Sequence, residues 1–188
     1  MTERKTKPSY TSPIMPEDVA TSLRLGDAKW DTDGKTLVWL EGRSGVGVLV
    51  AQTGEDSPRD LTFDLNVRAE VGYGGGDFTV SRGRVYFVQK GSGRIYRLDL
   101  AGGSPVAITP DFGRSASMSV SPCGQWLLYV HHDEGEDRLA VVDTDGRHWP
   151  RILAEGWDFY MQPRWSLCGQ RLAWISWNHP NMPWDGSV

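Results

Sequence analysis

Two neighbouring histidines stand before a run of carboxylates, a residue set that could bind a metal ion. His131 and His132 precede Asp133, Glu134, Gly135, Glu136 and Asp137. Imidazole nitrogens and carboxylate oxygens are common ligands of zinc. A charged, solvated loop explains the same residues, because charged side chains are mostly exposed. We favour the loop, and the sequence predicts no metal and no cofactor.

A glycine triplet could hold an anion through its backbone N–H groups. Gly74, Gly75 and Gly76 follow Tyr73 directly, and successive backbone N–H groups can form an anion-binding concavity. No helical pattern follows the triplet. We therefore favour a structural role, in which glycine lets a strand begin close to another backbone. All four residues remain candidate site residues.

The segment "NHPNMPWDG" contains four further candidates, His179, Asn181, Trp184 and Asp185. These side chains could contact a substrate. Alternatively, the two prolines stiffen a loop whose tryptophan covers the edge of a sheet. The sequence leaves both interpretations open.

Paired carboxylates and serines are the other residue types that could act as catalytic groups. Asp31, Asp33, Asp143 and Asp145 stand beside turn glycines, where aspartate side chains bond the local backbone. A serine-hydrolase nucleophile needs Gly-x-Ser-x-Gly between a strand and a helix. "GRSGV" and "GRSAS" both lack the second glycine. The sequence therefore predicts no catalytic residue.

The candidate residues lie between repeated units of short strands. Gly34, Gly83, Gly124 and Gly169 mark polar turns at intervals of 41 to 49 residues, each followed by an alternating strand. This period is typical of a four-stranded propeller blade. We predict an all-β partial β-propeller with blades over residues 23–65, 66–110, 111–155 and 156–188, after an extension over 1–22. An irregular β-sandwich is the less favoured alternative.

Composition excludes several classes of partner. The chain has 188 residues, 39% of them hydrophobic, and a net charge of −4, so no basic surface indicates nucleic acid. No apolar run approaches the roughly 18 to 20 residues of a membrane span. The first residues lack the apolar core of a signal peptide, which favours a cytoplasmic location. Cys123 and Cys168 occupy equivalent turns and are predicted not to pair.

The fourth repeat unit is shorter than the others. It contains two predicted strands and the segment "NHPNMPWDG". Propellers close with about 4 to 8 blades, so we expect about three and a half blades of a larger, seven-bladed ring. An open ring exposes apolar side chains and strand edges, which predicts self-association.

Three motifs resemble the N-terminal propeller of prolyl oligopeptidase family serine peptidases, nearest to acylaminoacyl-peptidases and dipeptidyl-aminopeptidases. They are "LNVRAEVGYGGGDFTV", "GWDFYMQPRWS" and "LAWISWNHPNMPWDG". The resemblance implies a propeller that gates and orients peptide substrates for an α/β-hydrolase domain absent here. That domain and peptide substrates are then the expected partners. A stand-alone protein-binding propeller is the alternative, and a propeller enzyme with its own site is the weakest hypothesis.

Strand alternation predicts which side of the propeller carries the distinctive residues. In an up-and-down blade, the connection to the next blade and the turn between strands two and three lie on the same side. Loops held by a rigid scaffold often carry function. We therefore predict a substrate or domain-interface face formed by Tyr73, Gly74, Gly75, Gly76, Asp158, Phe159, Tyr160, His179, Asn181, Trp184 and Asp185.

Overall fold

A computed structural model describes residues 23–71 and 75–186, which form antiparallel strands and contain no helix. The first sheet contains β1 (Arg24–Trp30), β2 (Thr36–Arg43), β3 (Val46–Thr53) and β4 (Arg59–Asp60). The second contains β5 (Phe78–Ser81), β6 (Arg84–Val88), β7 (Ile95–Asp99) and β8 (Val106–Ala107). The third contains β9 (Arg114–Val120), β10 (Trp126–Asp133), β11 (Glu136–Asp143) and β12 (Arg151–Ala154). The fourth pairs β13 (Phe159–Trp165) with β14 (Leu172–Trp177).

Consecutive sheets lie side by side as propeller blades. Within each sheet, strands that follow one another in sequence are hydrogen-bonded neighbours. The first strand of each sheet contacts the first strand of the next, so β1, β5, β9 and β13 form an inner row. The prediction of an all-β partial propeller is confirmed, with three four-stranded blades and two strands of a fourth among the described residues.

The central strands are buried on both of their faces. In β10, the four residues Leu127, Leu128, Tyr129 and Val130 are all buried. Side chains of a strand alternate between the two faces of its sheet, so this sheet is covered on both sides. One apolar cluster joins the first and second sheets, and another joins the second and third sheets and β13.

Polar side chains also connect the first blade to the second, and the second blade to the third. The buried carboxylate of Asp31 accepts a hydrogen bond from the backbone N–H of Gly83 at 2.7 Å. Thr32 Oγ1 accepts from the N–H of Arg82 at 2.9 Å. The guanidinium of Arg82 then donates to the Pro122 carbonyl at 2.6 Å. These bonds hold equivalent turns of three blades in register.

Asp33 and Asp143 act within their own turns, as predicted, but the prediction was wrong for Asp145, whose carboxylate accepts hydrogen bonds from Arg84 and Arg97 of the second blade. Asp33 accepts hydrogen bonds from the backbone N–H groups of Lys35 and Thr36, which lower the pKa of its carboxyl. Asp143 accepts from the N–H groups of Asp145, Arg147 and His148. Both cysteines are free and exposed. No helix in the described part of the chain is long and apolar enough to cross a bilayer.

Candidate functional site

The strand bounds divide the loops between two sides of the propeller. We call the side where β1, β5, β9 and β13 begin the connection face; it carries the described loop residues 44–45, 61–71, 75–77, 89–94, 108–113, 134–135, 155–158 and 178–186. The opposite side, the turn face, carries the loops 31–35, 54–58, 82–83, 100–105, 121–125, 144–150 and 166–171. The described candidates lie in loops of the connection face or at the strand ends beside them.

An aromatic cluster forms where β13 begins and β14 ends. The rings of Phe159 and Trp177 stack with centroids 5.1 Å apart and planes at 21°. The imidazole of His179 meets the Phe159 ring edge-on at 4.8 Å. Phe159 and Trp177 are opposite each other in the β13–β14 register, and this cross-strand pairing brings their rings together. Phe159 is half-buried and His179 exposed, so the cluster reaches the surface.

Asp158 fixes the loop that carries His179. Its carboxylate Oδ2 accepts a hydrogen bond from the backbone N–H of His179 at 2.8 Å. In return, the backbone N–H of Asp158 donates to Asn178 Oδ1 at 2.7 Å. The two bonds connect the loop 155–158 to the segment 178–186. Asn178 was not among the predicted site residues, although it begins the "NHPNMPWDG" motif.

The segment 178–186 continues as two successive turns. The N–H of Asn181 donates to the Asn178 carbonyl at 3.0 Å, and that of Asp185 to the Met182 carbonyl at 2.9 Å. The Asp185 carboxylate also accepts from the Met182 N–H at 3.2 Å. Trp184 lies within the second turn and is 73% exposed. The segment that carries His179 therefore also presents the large aromatic side chain of Trp184 to solvent.

Tyr160 lies in the core, in contrast to its neighbours. It is only 5% exposed and belongs to the apolar cluster between the second and third sheets and β13. Burial raises the pKa of its hydroxyl. Adjacent residues of a strand point to opposite sides, so Phe159 and Tyr160 cannot both face the same surroundings. We therefore assign the Tyr160 side chain to packing, and correct the expectation that it forms part of the surface.

Gly76 packs against the neighbouring blade. Its φ is +67°, and a Cβ built there would lie 2.5 Å from Ser117 Cα and 2.7 Å from Ser117 N. The Ser117 N–H donates to the Gly76 carbonyl at 3.1 Å. Gly75 has a φ of +82°, but a Cβ there would meet no atom within 4 Å. The contact between Gly76 and Ser117 supports a structural role for Gly76. Tyr73 and Gly74 lie outside the described residues.

The histidine–carboxylate segment is a tight hairpin rather than a solvated loop. β10 and β11 pair up to Asp133 and Glu136, which places His132 opposite Asp137. His132 Nδ1 lies 2.7 Å from Asp137 Oδ1, and the Asp137 carboxylate also accepts from the Tyr160 backbone N–H. Asp137 is 4% exposed, and this burial raises the pKa of its carboxyl. The prediction of an exposed loop was wrong for His131 and Asp137, which are both buried.

The donor set of this hairpin does not form a metal site. Among residues 23–71 and 75–186, no three His, Cys, Asp or Glu side chains are arranged to hold a metal ion. The carboxylate of Asp137 is occupied by His132 and by the backbone of β13. The pair therefore joins the third blade to the first strand of the fourth, close to Asp158 and Phe159.

Together, the four sheets and the two loop faces define the chain as part of a β-propeller domain. No family model matches the sequence, and no curated protein matches it. A puromycin-hydrolyzing peptidase of Mycobacterium tuberculosis matches with a TM-score of 0.82 and 31% identity, over 95% of this chain and 30% of that chain. A puromycin hydrolase matches with a TM-score of 0.80 and 26% identity, over 95% of this chain and 32% of that chain.

A more distant match shows the fold alone. TolB from Acinetobacter baumannii has a TM-score of 0.66 and 17% identity, over 84% of this chain and 39% of that chain. The two peptidases belong to the prolyl oligopeptidase family, and this chain spans about a third of their length. The resemblance to the N-terminal propeller of this family is thereby confirmed.

Proposed function

We propose that this chain forms part of a propeller that gates and orients peptide substrates for an α/β-hydrolase domain of a serine peptidase. The similarity to the two peptidases over 95% of the chain carries this proposal. The connection face supplies the contact surface. The partners in this proposal are the hydrolase domain and the peptide substrate.

The geometry of the connection face supports such a role. Phe159 and Trp184 offer aromatic rings, which are enriched in recognition surfaces, and His179 adds an imidazole group. Asp158 holds the backbone of His179 at 2.8 Å, so this surface is organised before any partner binds. Pre-organised groups lose less conformational entropy on binding. The chemistry of peptide cleavage is left to the hydrolase domain.

A domain exchange tests the proposal. The segment of the Mycobacterium tuberculosis peptidase that matches this chain is replaced by residues 23–186, and kcat/KM is measured for an aminoacyl anilide and for a long peptide. We expect the chimera to hydrolyse the anilide and to show the same ratio of kcat/KM between the two substrates as the parent enzyme measured beside it. The equivalent TolB segment serves as the control, since it has the same fold and only 17% identity.

Two results would contradict the proposal. The first is a folded chimera that hydrolyses the anilide but no longer shows the parent's ratio of kcat/KM between the two substrates. The second is covalent labelling of the 188-residue chain itself by a fluorophosphonate probe, because the proposal assigns the nucleophile to another domain. Circular dichroism of each chimera separates a loss of folding from a loss of selection.

A stand-alone binding module is the second candidate. Exposed apolar side chains favour it, among them Leu25, Trp30 and Leu167, which is 98% exposed. Surfaces of this kind often contact other proteins. They could equally bring two copies of this chain together, and sedimentation velocity distinguishes a self-associating chain from a monomer.

We also propose a cytoplasmic location. Both cysteines are free and exposed, a state that a reducing compartment maintains. Cell fractionation of the tagged protein tests this, and recovery from an oxidising compartment with modified thiols would contradict it.

A further inference from the structure

A cavity of about 240 Å³ lies on the third blade, and neither Phe159 nor His179 of the aromatic cluster lines it. Its wall on one side is the loop 108–113, which joins the second and third blades. Its other walls come from β10, β11 and the outer strand β12 with the residues around it. The proposed gating role does not use this cavity.

Aromatic rings line much of this cavity. Phe112 stacks with Trp149 at a centroid distance of 5.9 Å and an interplanar angle of 18°. His131 meets Phe112 edge-on at 5.3 Å and Tyr129 edge-on at 6.2 Å. Trp149 is 71% exposed, so much of its ring surface remains open to a ligand.

Contacts of the loop 108–113 with the second and third blades fix the position of Phe112. Gly113, directly after Phe112, has a φ of +63°, and a Cβ there would overlap the ring of His131. Thr109, near the start of the loop, is buried and accepts a hydrogen bond from the Ile95 N–H at 2.9 Å. The loop is thus fixed at both ends against the second and third blades.

The charges around the cavity favour a cation. Asp133 and Glu155 both line it. Arg138 is the cationic side chain among the lining residues, and its guanidinium already pairs with Glu136 and with Glu155, at 3.4 Å from the latter. Burial lowers the pKa of His131, so its imidazole is neutral near pH 7. The carboxylates therefore outnumber the positive charges.

We propose that this cavity binds an organic cation with an apolar stem, such as a lysine side chain or a small alkylammonium ion. The open face of Trp149 would contact the cation, since ammonium groups are attracted to the faces of aromatic rings. Asp133 would supply the opposing charge. The ligand's alkyl stem would lie against Ile152, since Phe112 stacks on the other face of Trp149.

Calorimetric titration of the 188-residue chain tests this assignment. The probes are a blocked lysine amide, a blocked pentapeptide with a central lysine, and the same pentapeptide with norleucine in place of lysine. We expect both lysine probes to bind and the neutral norleucine peptide to bind at least about fivefold more weakly. Tighter binding of the lysine pentapeptide than of the single amide identifies peptides as the ligand source; equal binding identifies small amines.

Matched variants locate the site. Trp149→Ala and Asp133→Asn should each weaken lysine binding by about fivefold or more, and Trp30→Ala, an exposed tryptophan on the first blade, should leave it unchanged. Added salt should also weaken binding, because the carboxylates are near the surface. Equal affinity for lysine and norleucine peptides overturns the proposal, and so does unchanged affinity in Trp149→Ala with the fold retained by circular dichroism.

Discussion

Gly76→Ala should destabilise the protein through one backbone contact between two blades. The new methyl group would lie 2.5 Å from Ser117 Cα, a distance that side-chain carbons do not tolerate, so the loop must move away from β9. The left-handed φ of +67° costs an alanine about 1 kcal/mol or more. Loss of the hydrogen bond from the Ser117 N–H adds about 1 kcal/mol. Together these give a loss of about 2 to 3 kcal/mol in the free energy of unfolding.

Gly75→Ala is the matched control for this prediction. Its φ of +82° imposes a similar conformational cost, but the added Cβ meets no atom within 4 Å. Urea denaturation followed by tryptophan fluorescence measures both variants. With a slope of about 2 kcal/mol per molar urea, Gly76→Ala should lower the midpoint by about 1 M or more and Gly75→Ala by about half of that. Equal shifts would refute the assignment of Gly76 to the blade contact.

Three further predictions concern stability and association. Burial lowers the pKa of His131, so the unfolded chain binds a proton at this imidazole more readily than the folded chain does. The free energy of unfolding therefore falls as the pH falls through the pKa that His131 has in the unfolded chain. His131→Phe should reduce this loss of stability between about pH 7.5 and pH 5.5. His148→Gln, at an exposed position, is the control in the same urea titrations. Asp31→Ala should cost about 1 to 3 kcal/mol, because it leaves a backbone N–H of the second blade without its acceptor; an unchanged urea midpoint would contradict this. Sedimentation velocity at low micromolar concentration should show self-association through exposed apolar side chains such as Leu25 and Leu167, and a stable monomer would count against it.

Local patterns made the strands and turns predictable. The turn glycines and the alternating strands around them recur with one period, and each turn involves only a few neighbouring residues. The assignment of loops to two faces followed from the up-and-down order of the strands. Asp33 and Asp143 bond N–H groups within a few residues, so their role was also readable from the sequence.

Features that depend on strand register were not predicted. Whether Phe159 or Tyr160 faces the core depends on how β13 pairs, which the sequence does not show. The His132–Asp137 pair was missed because the segment was interpreted as a loop. A two-residue turn at Glu134 and Gly135 would have placed these residues opposite each other. The cavity for which we propose an organic cation combines the loop 108–113 with β12, and these segments are distant in sequence.

The most direct test of the central claim compares the two faces in the chimeric peptidase described above. Trp184→Ala alters an exposed tryptophan of the connection face, and Gln170→Ala alters an exposed residue of the turn face. If the connection face meets the hydrolase domain or the substrate, Trp184→Ala should change kcat/KM for the long peptide by about fivefold or more, and Gln170→Ala should change it by less than about twofold. Equal changes from the two variants, or no change from Trp184→Ala, would contradict the assignment of function to the connection face.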